Sequence, residues 1–276
     1  MIRDITIGQY YPAKSFIHRL DPRVKIVCTL LFLISLFVQN SILGYALATV
    51  FLIMIIKVSR VPFKFIVKGL KAVVLLLLFT IVMNLFLTEG GAVLVHFWIF
   101  RITENGLRTS VFMAVRLTYL ILGSSLMTFT TTPNSLTDGL ERLLHPLNKL
   151  NVPVHEVAMM MSIALRFIPI LLEETDKIMK AQIARGADLD SGNIIQKTKA
   201  MVPILVPLFV SAFRRANDLA MAMEARCYHG GEGRTKMKPL IYKSRDYAAY
   251  IITIIYVAAV FVIGQFVPFC EWRGLN

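Results

Sequence analysis

Apolar runs and polar interruptions divide this chain into several membrane-length segments and one long mixed stretch. No charged residue occurs from Ile26 to Ile56. A single straight helix of that length would measure about 46 Å against a hydrocarbon core of about 30 Å. The cluster Gln39-Asn40-Ser41, with Gly44 close behind, therefore predicts a tight turn between two short spans, roughly 24–39 and 42–57. A third apolar run, AVVLLLLFTIVMNLFL, predicts a span over roughly 70–87 that ends at Glu89-Gly90-Gly91. A fourth is expected over roughly 108–130, and a fifth in AAYIITIIYVAAVFVIGQFVPF. Between the third and fourth, the patch VLVHFWIF is too short to cross a bilayer and suits an interfacial or re-entrant stretch.

Residues 133–246 follow a different pattern. Sixteen Lys/Arg and twelve Asp/Glu are mixed along helical periodicities and punctuated by seven prolines. Two apolar stretches in this region compete for further spans, AMMMSIALRFIPILL and MVPILVPLFVSAF. Arg166 and Pro169 interrupt the first, and the second is short and holds Pro203 and Pro207, so both are expected as buried core helices. The chain then reads as an all-α polytopic membrane protein with about five transmembrane helices and a cytoplasmic helical domain. Its expected division is 1–131 (N-terminal segment and helices 1–4), 132–246 (the cytoplasmic domain) and 247–276 (the last span and a short external tail).

Composition supports the membrane assignment. The chain has 276 residues, of which 56% are hydrophobic and only 17% charged, too apolar for a soluble globular domain. The net charge of +13 comes without any nucleic-acid-binding signature, and the basic residues lie between apolar runs. They act as a topology signal: twenty-six of the thirty fall in segments that five spans with a cytoplasmic N-terminus place inside. The segment KVSRVPFKFIVKGLK, with five positive charges and no acid, belongs to that side. Cys28, Cys227 and Cys270 lie far apart without C-x-x-C spacing, so neither a metal site nor a disulfide framework is expected. No cleavable leader pattern opens the chain. No cofactor is expected either.

Two helix endings in the mixed region stand out. Ala184-Arg185-Gly186 and Ala225-Arg226-Cys227 each close an amphipathic stretch and precede a glycine-bearing break. Each guanidinium is expected near a helix C-terminus, where the partial negative charge of the helix favours it by about 0.3–1 kcal/mol. That alone accounts for either arginine. Two such endings facing one compartment favour docking onto a partner. Cys227 stands where glycine would tolerate a left-handed conformation, which predicts that the second helix runs on to Gly230-Gly231. Met159, Met160, Met161, Met221 and Met223 suit either an ordinary helix–helix core or an adaptable docking surface. Within the spans, Arg116 and Asn84 are the polar candidates. Arg116 serves either as an intramembrane functional group or as a boundary residue whose guanidinium reaches the interface.

Catalysis finds no support in the residue pattern. The spans hold no acid and the five histidines are scattered, so the chain is not expected to be an enzyme. The absence of a G-x-x-x-x-G-K-[ST] loop means that any ATP must be held by a partner.

The segments GQYYPAKSFIHRLDPRVKI, LRFIPILLEETDKIMKAQIARGAD and AMEARCYHGGEGRT together resemble the transmembrane (T) component of energy-coupling factor transporters, the EcfT/CbiQ type. The resemblance covers nearly the whole chain. It implies a membrane-embedded subunit of an ABC-type importer in the bacterial cell membrane. Its coupling domain would end in two Ala-Arg-Gly-type motifs that dock onto a pair of ABC-type ATPases. A separate substrate-specific membrane S component would bind a vitamin or other micronutrient. Carried onto this chain, the motifs fall on Ala184, Arg185 and Gly186 and on Ala225, Arg226 and Cys227. A transporter subunit dedicated to cobalt or nickel is the alternative within the family, and a self-sufficient permease using Asn84 and Arg116 is the alternative outside it.

Overall fold

The computed structural model describes residues 10–39, 41–71, 73–88, 90, 93–97, 100–187, 193–230, 237 and 239–266. Nine α-helices run through them: α1 Pro22–Val38, α2 Ile42–Ser59, α3 Phe63–Lys71, α4 Val74–Leu87, α5 Glu104–Thr130, α6 Pro133–Leu144, α7 Val154–Ala184, α8 Ile194–Glu224 and α9 Ser244–Phe266. The patch expected at the interface contains an antiparallel hairpin, β1 Val93–Phe97 and β2 Phe100–Thr103. The described residues form two compact units, one within 140–239 and a larger one within 10–139 and 240–266.

Local chemistry places the helix ends. Asp21 caps α1 by accepting a hydrogen bond from the Arg23 backbone N–H at 2.9 Å, and Pro22 occupies the first turn, where its missing N–H costs nothing. Ser41 caps α2 by accepting from the Gly44 N–H at 3.2 Å. The uncharged run from Ile26 to Ile56 is thus two helices, as its length requires. Thr103 caps α5 through the Gly106 N–H at 3.1 Å and donates its own hydroxyl proton to the Thr88 carbonyl at 2.9 Å. A side chain at Gly106 would crowd the Leu85 and Thr88 carbonyls, so glycine lets the start of α5 lie against the end of α4.

By length and composition, four helices among the described residues can cross a bilayer: α2, α5, α7 and α9. A fifth arises if Phe65–Lys71 and Val74–Phe86, bent by 55°, count as one broken span. Helix α1, expected as a span, has 17 residues and is about 26 Å long. The expected span at 70–87 resolves into the end of α3 and the 14-residue α4.

The core of the larger unit lies between α1, α2, α5 and α9. Phe51 and Tyr256 stack at 4.1 Å between ring centroids, and Phe32, Leu36, Leu122 and Leu126 fill the space around them. The Tyr256 hydroxyl is satisfied by Ser35 at 3.1 Å. Outside this core many apolar residues face outwards. Leu75 is 79% exposed and Val50 65%, the distribution expected where lipid is the solvent.

The two stretches expected as buried core helices lie in α7 and α8, and they are not buried. Among the described residues of these helices only Val154, Ala158 and Ile204 are buried hydrophobics, while Met160, Met161, Val206, Phe209 and Phe213 are exposed. The cause is the number of layers. Within its unit α7 packs chiefly on α8 and on the short turn His145–Leu150, so among the described residues no third layer of the unit covers the outer apolar faces.

Candidate functional site

Both arginine endings close in the same way. In α7 the Gly186 N–H donates to the Ile183 carbonyl at 2.9 Å and the Ala187 N–H to Gln182 at 3.0 Å. In α8 the Cys227 N–H donates to Glu224 at 2.8 Å and the Tyr228 N–H to Met223 at 3.1 Å. These paired bonds form a Schellman motif, with Arg185 and Arg226 at the equivalent capping position. The next residue is left-handed in each case, Gly186 at φ +88° and Cys227 at φ +55°. The helix carrying Arg226 therefore does not run on to Gly230-Gly231 as the missing glycine suggested. Carbonyl satisfaction at the helix end outweighs the roughly 1 kcal/mol that a Cβ costs in this conformation. Gly231 lies outside the described residues.

Both arginines are exposed, and neither has a side-chain hydrogen bond or ion pair with another described residue. Their spacing follows from how α7 and α8 are pinned. Glu174 accepts from Arg215 at 2.7 Å, and Gln182 donates to the Pro203 carbonyl at 3.3 Å. As the chain advances along α7 its contacts recede along α8, so the helices are antiparallel. Arg185 lies eleven residues beyond Glu174, and Arg226 eleven residues beyond Arg215 in the opposite direction. At about 1.5 Å per residue the two caps are on the order of 30 Å apart. The Gln182 contact has a backbone cause. A residue at 207 would ordinarily donate its N–H to the Pro203 carbonyl, but Pro207 has none, and the Gln182 amide takes the vacant acceptor.

The intramembrane candidates are tied into the fold. Arg116 donates from Nε to the Tyr45 hydroxyl at 2.9 Å and from its terminal nitrogen to the Gln39 carbonyl at 3.0 Å, with the Phe37 ring 5.9 Å away. Neutral acceptors at the α1–α2 turn thus help hold this cation. Asn84 donates to the Thr80 carbonyl one turn back in its own helix at 2.9 Å.

A second polar cluster, around the N-terminal segment HRLDPRVK, escaped the residue-level reading. Asp21 binds the Arg23 guanidinium at 3.0 and 2.8 Å, and Arg23 also reaches the Leu240 carbonyl and lies 3.9 Å over the Tyr242 ring. Buried Asp246, in the first turn of α9, accepts from the Asp21 N–H at 2.9 Å and the Lys243 N–H at 2.8 Å. Lys25 donates to the Thr130 carbonyl at 2.7 Å, at the negative end of α5. The starts of α1 and α9 and the end of α5 are thereby joined. Burial works to raise the Asp21 pKa, but the Arg23 hydrogen bonds and the charges of Arg23 and Lys25 outweigh it and hold the carboxyl below the usual aspartate value. Burial lowers the His18 pKa, so its neutral ring bridges the Ser15 hydroxyl and the Tyr11 carbonyl. Among the described residues no group of three or more His, Cys, Asp or Glu side chains is placed to hold a metal ion.

Residues 13–237 match the CbiQ family, described as cobalt transport protein. The chain belongs to the CbiQ family. It is similar over nearly its whole length to proteins named energy-coupling factor transporter transmembrane protein EcfT. That of Clostridium kluyveri is 58% identical over 258 residues, 93% of this chain and 96% of the relative. The Bacillus subtilis protein is 49% identical over 261 residues, covering 95% and 98%. The Heliobacterium modesticaldum protein is 49% identical over 273 residues, covering 99% of each. This CbiQ-family chain is therefore a transmembrane component of an energy-coupling factor transporter, and the matched region includes both arginine-capped helices.

Proposed function

We propose that this chain is the coupling subunit of an ABC-type importer in the bacterial cell membrane. A cytoplasmic ATPase pair would supply ATP-driven motion, and the chain would pass it to a membrane S component that carries a vitamin or other micronutrient. The N-terminus and the unit holding α7 and α8 lie on the cytoplasmic side in this reading, as the distribution of basic residues favours. The repeated arginine cap carries the argument. Arg185 and Arg226 occupy one capping geometry, stand exposed, and terminate opposite ends of an antiparallel pair. Ala184, Gly186, Ala225 and Cys227 shape the two turns. Closure of the ATPases would shift the two caps relative to each other, and the exposed apolar faces of α7 and α8 would carry that motion to the S component.

The test is gentle detergent extraction of the tagged chain from its native membranes, followed by identification of what co-purifies. Wild type should bring down two ATPases and at least one small membrane protein. An Arg185→Glu, Arg226→Glu double variant of equal expression should lose the ATPases. Retention of both ATPases by the double variant would reject the docking role. The family description favours a second reading, a subunit dedicated to cobalt or nickel. Uptake of labelled cobalt that depends on this chain, with vitamin uptake unaffected by its loss, would select it.

A further inference from the structure

A cavity of about 280 Å³ lies in the larger unit between α1, α2, α5 and α9. Its floor is made by buried Phe32, Phe51 and Leu126, and its rim includes Phe16, Met54 and Ile252, which are 45%, 44% and 42% exposed. The only charged lining residue, Lys25, is engaged by the Thr130 and His18 carbonyls. Such a space is far larger than the about 10–15 Å³ that one water needs, yet its apolar walls offer water almost no partner. Packed interiors leave few voids of this size, and an apolar chain fits these walls better than water does. At Met54 and Ile252 the rim joins the outward apolar surface of α2 and α9, which in this membrane protein meets lipid chains. Charge at the mouth narrows the identity of that lipid. Lys57 lies one turn beyond Met54 on α2 and Arg60 follows at its end; both are exposed, neither has an ion pair with another described residue, and no acid occurs from 57 to 71.

We propose that the cavity holds one acyl chain of an anionic phospholipid whose phosphate is bound by Lys57 and Arg60. The site joins α2 to α9 through the lipid and is independent of the coupling role proposed above. Basic residues at a membrane surface attract anionic headgroups, and the cavity adds selectivity for a single inserted chain.

The test uses the purified full-length chain in nanodiscs containing either phosphatidylglycerol or phosphatidylcholine with a photoactivatable diazirine at mid-chain, and maps the labelled peptides. Phosphatidylglycerol should label the buried floor at Phe32 and Phe51. Ala249→Phe, which fills the cavity from α9, should reduce that labelling several-fold while leaving the outward Leu75 and Leu78 of α4 labelled. Lys57→Gln with Arg60→Gln, which leaves the packed core untouched, should reduce floor labelling by phosphatidylglycerol down to the phosphatidylcholine level. Labelling confined to outward residues, or floor labelling unchanged in Ala249→Phe, would overturn the cavity assignment. Equal floor labelling by the two lipids in the wild-type chain would overturn the anionic headgroup site.

Discussion

Gly186 and Cys227 hold the same left-handed position after equivalent arginines, but only one of them is suited to it. A Cβ at Gly186 would meet nothing within 4 Å, so substitution there is penalised by backbone conformation alone. Gly186→Ala should therefore destabilise the α7 cap by roughly 1 kcal/mol, and Cys227→Gly should stabilise the α8 cap by a similar amount. Thermal unfolding of the two variants in detergent should show opposite shifts of the midpoint. Asp21 gives a residue-scale dependence on pH. Its folded pKa is depressed, so the carboxylate's contribution is fully present above its unfolded value and is lost as pH falls through the folded value. Stability should drop in acid below about pH 4, where an unperturbed aspartate titrates, and Asp21→Asn should be less stable at neutral pH with a flatter acid limb in the same unfolding measurement.

At the scale of elements, the prolines of α8 do more than weaken a helix. Pro207 leaves the Pro203 carbonyl without its intrahelical donor, and the Gln182 amide completes it from α7. Restoring an N–H by Pro207→Ala should make the contact redundant. Gln182→Ala is then expected to cost about 1 kcal/mol in the wild-type background and much less in Pro207→Ala, a coupling that a double-mutant cycle of unfolding free energies would read. The sequence pattern revealed α7 and α8 as helices, along with their arginine ends, because periodicity, alanines and a following glycine are local signals. It misjudged their faces. AMMMSIALRFIPILL has the apolarity of a buried helix, and only the count of packed layers shows that, among the described residues, its unit covers one face and leaves the outer one open. Asp246 was equally hidden, since its partner Asp21 is 225 positions away and an aspartate near a helix start is ordinary by itself. Arg116 was recognised as unusual, but its neutral partners Tyr45 and Gln39 carry no charge for a search of opposite signs to find.

At the scale of the whole molecule, the pinned helix pair presents two identical cations from opposite ends, on the order of 30 Å apart. A single rim arginine contributes modestly to affinity, because exposed charges are screened and the free guanidinium is well solvated. Two arginines held at fixed spacing act differently if their partners are themselves a joined pair. Once one cap is seated, the second binds intramolecularly, and the combined affinity exceeds either alone by about 10²–10⁴-fold. The proposed docking therefore predicts a non-additive pattern. Arg185→Glu or Arg226→Glu alone should remove most of the binding to a preformed ATPase pair, and the double variant should add little further loss. Against a single isolated ATPase subunit, by contrast, each variant should abolish one weak contact and leave the other. Separating the caps should mimic the single variants without changing either arginine. A four-residue alanine insertion after Met221 lengthens α8 by about 6 Å and turns Arg226 by about 40° around the helix axis. Binding of the paired ATPases to that variant, measured by surface interferometry on nanodisc-embedded chain, should fall to the single-contact level. Wild-type affinity in the insertion variant would mean that cap spacing plays no part, and that the two arginines bind independently or not at all.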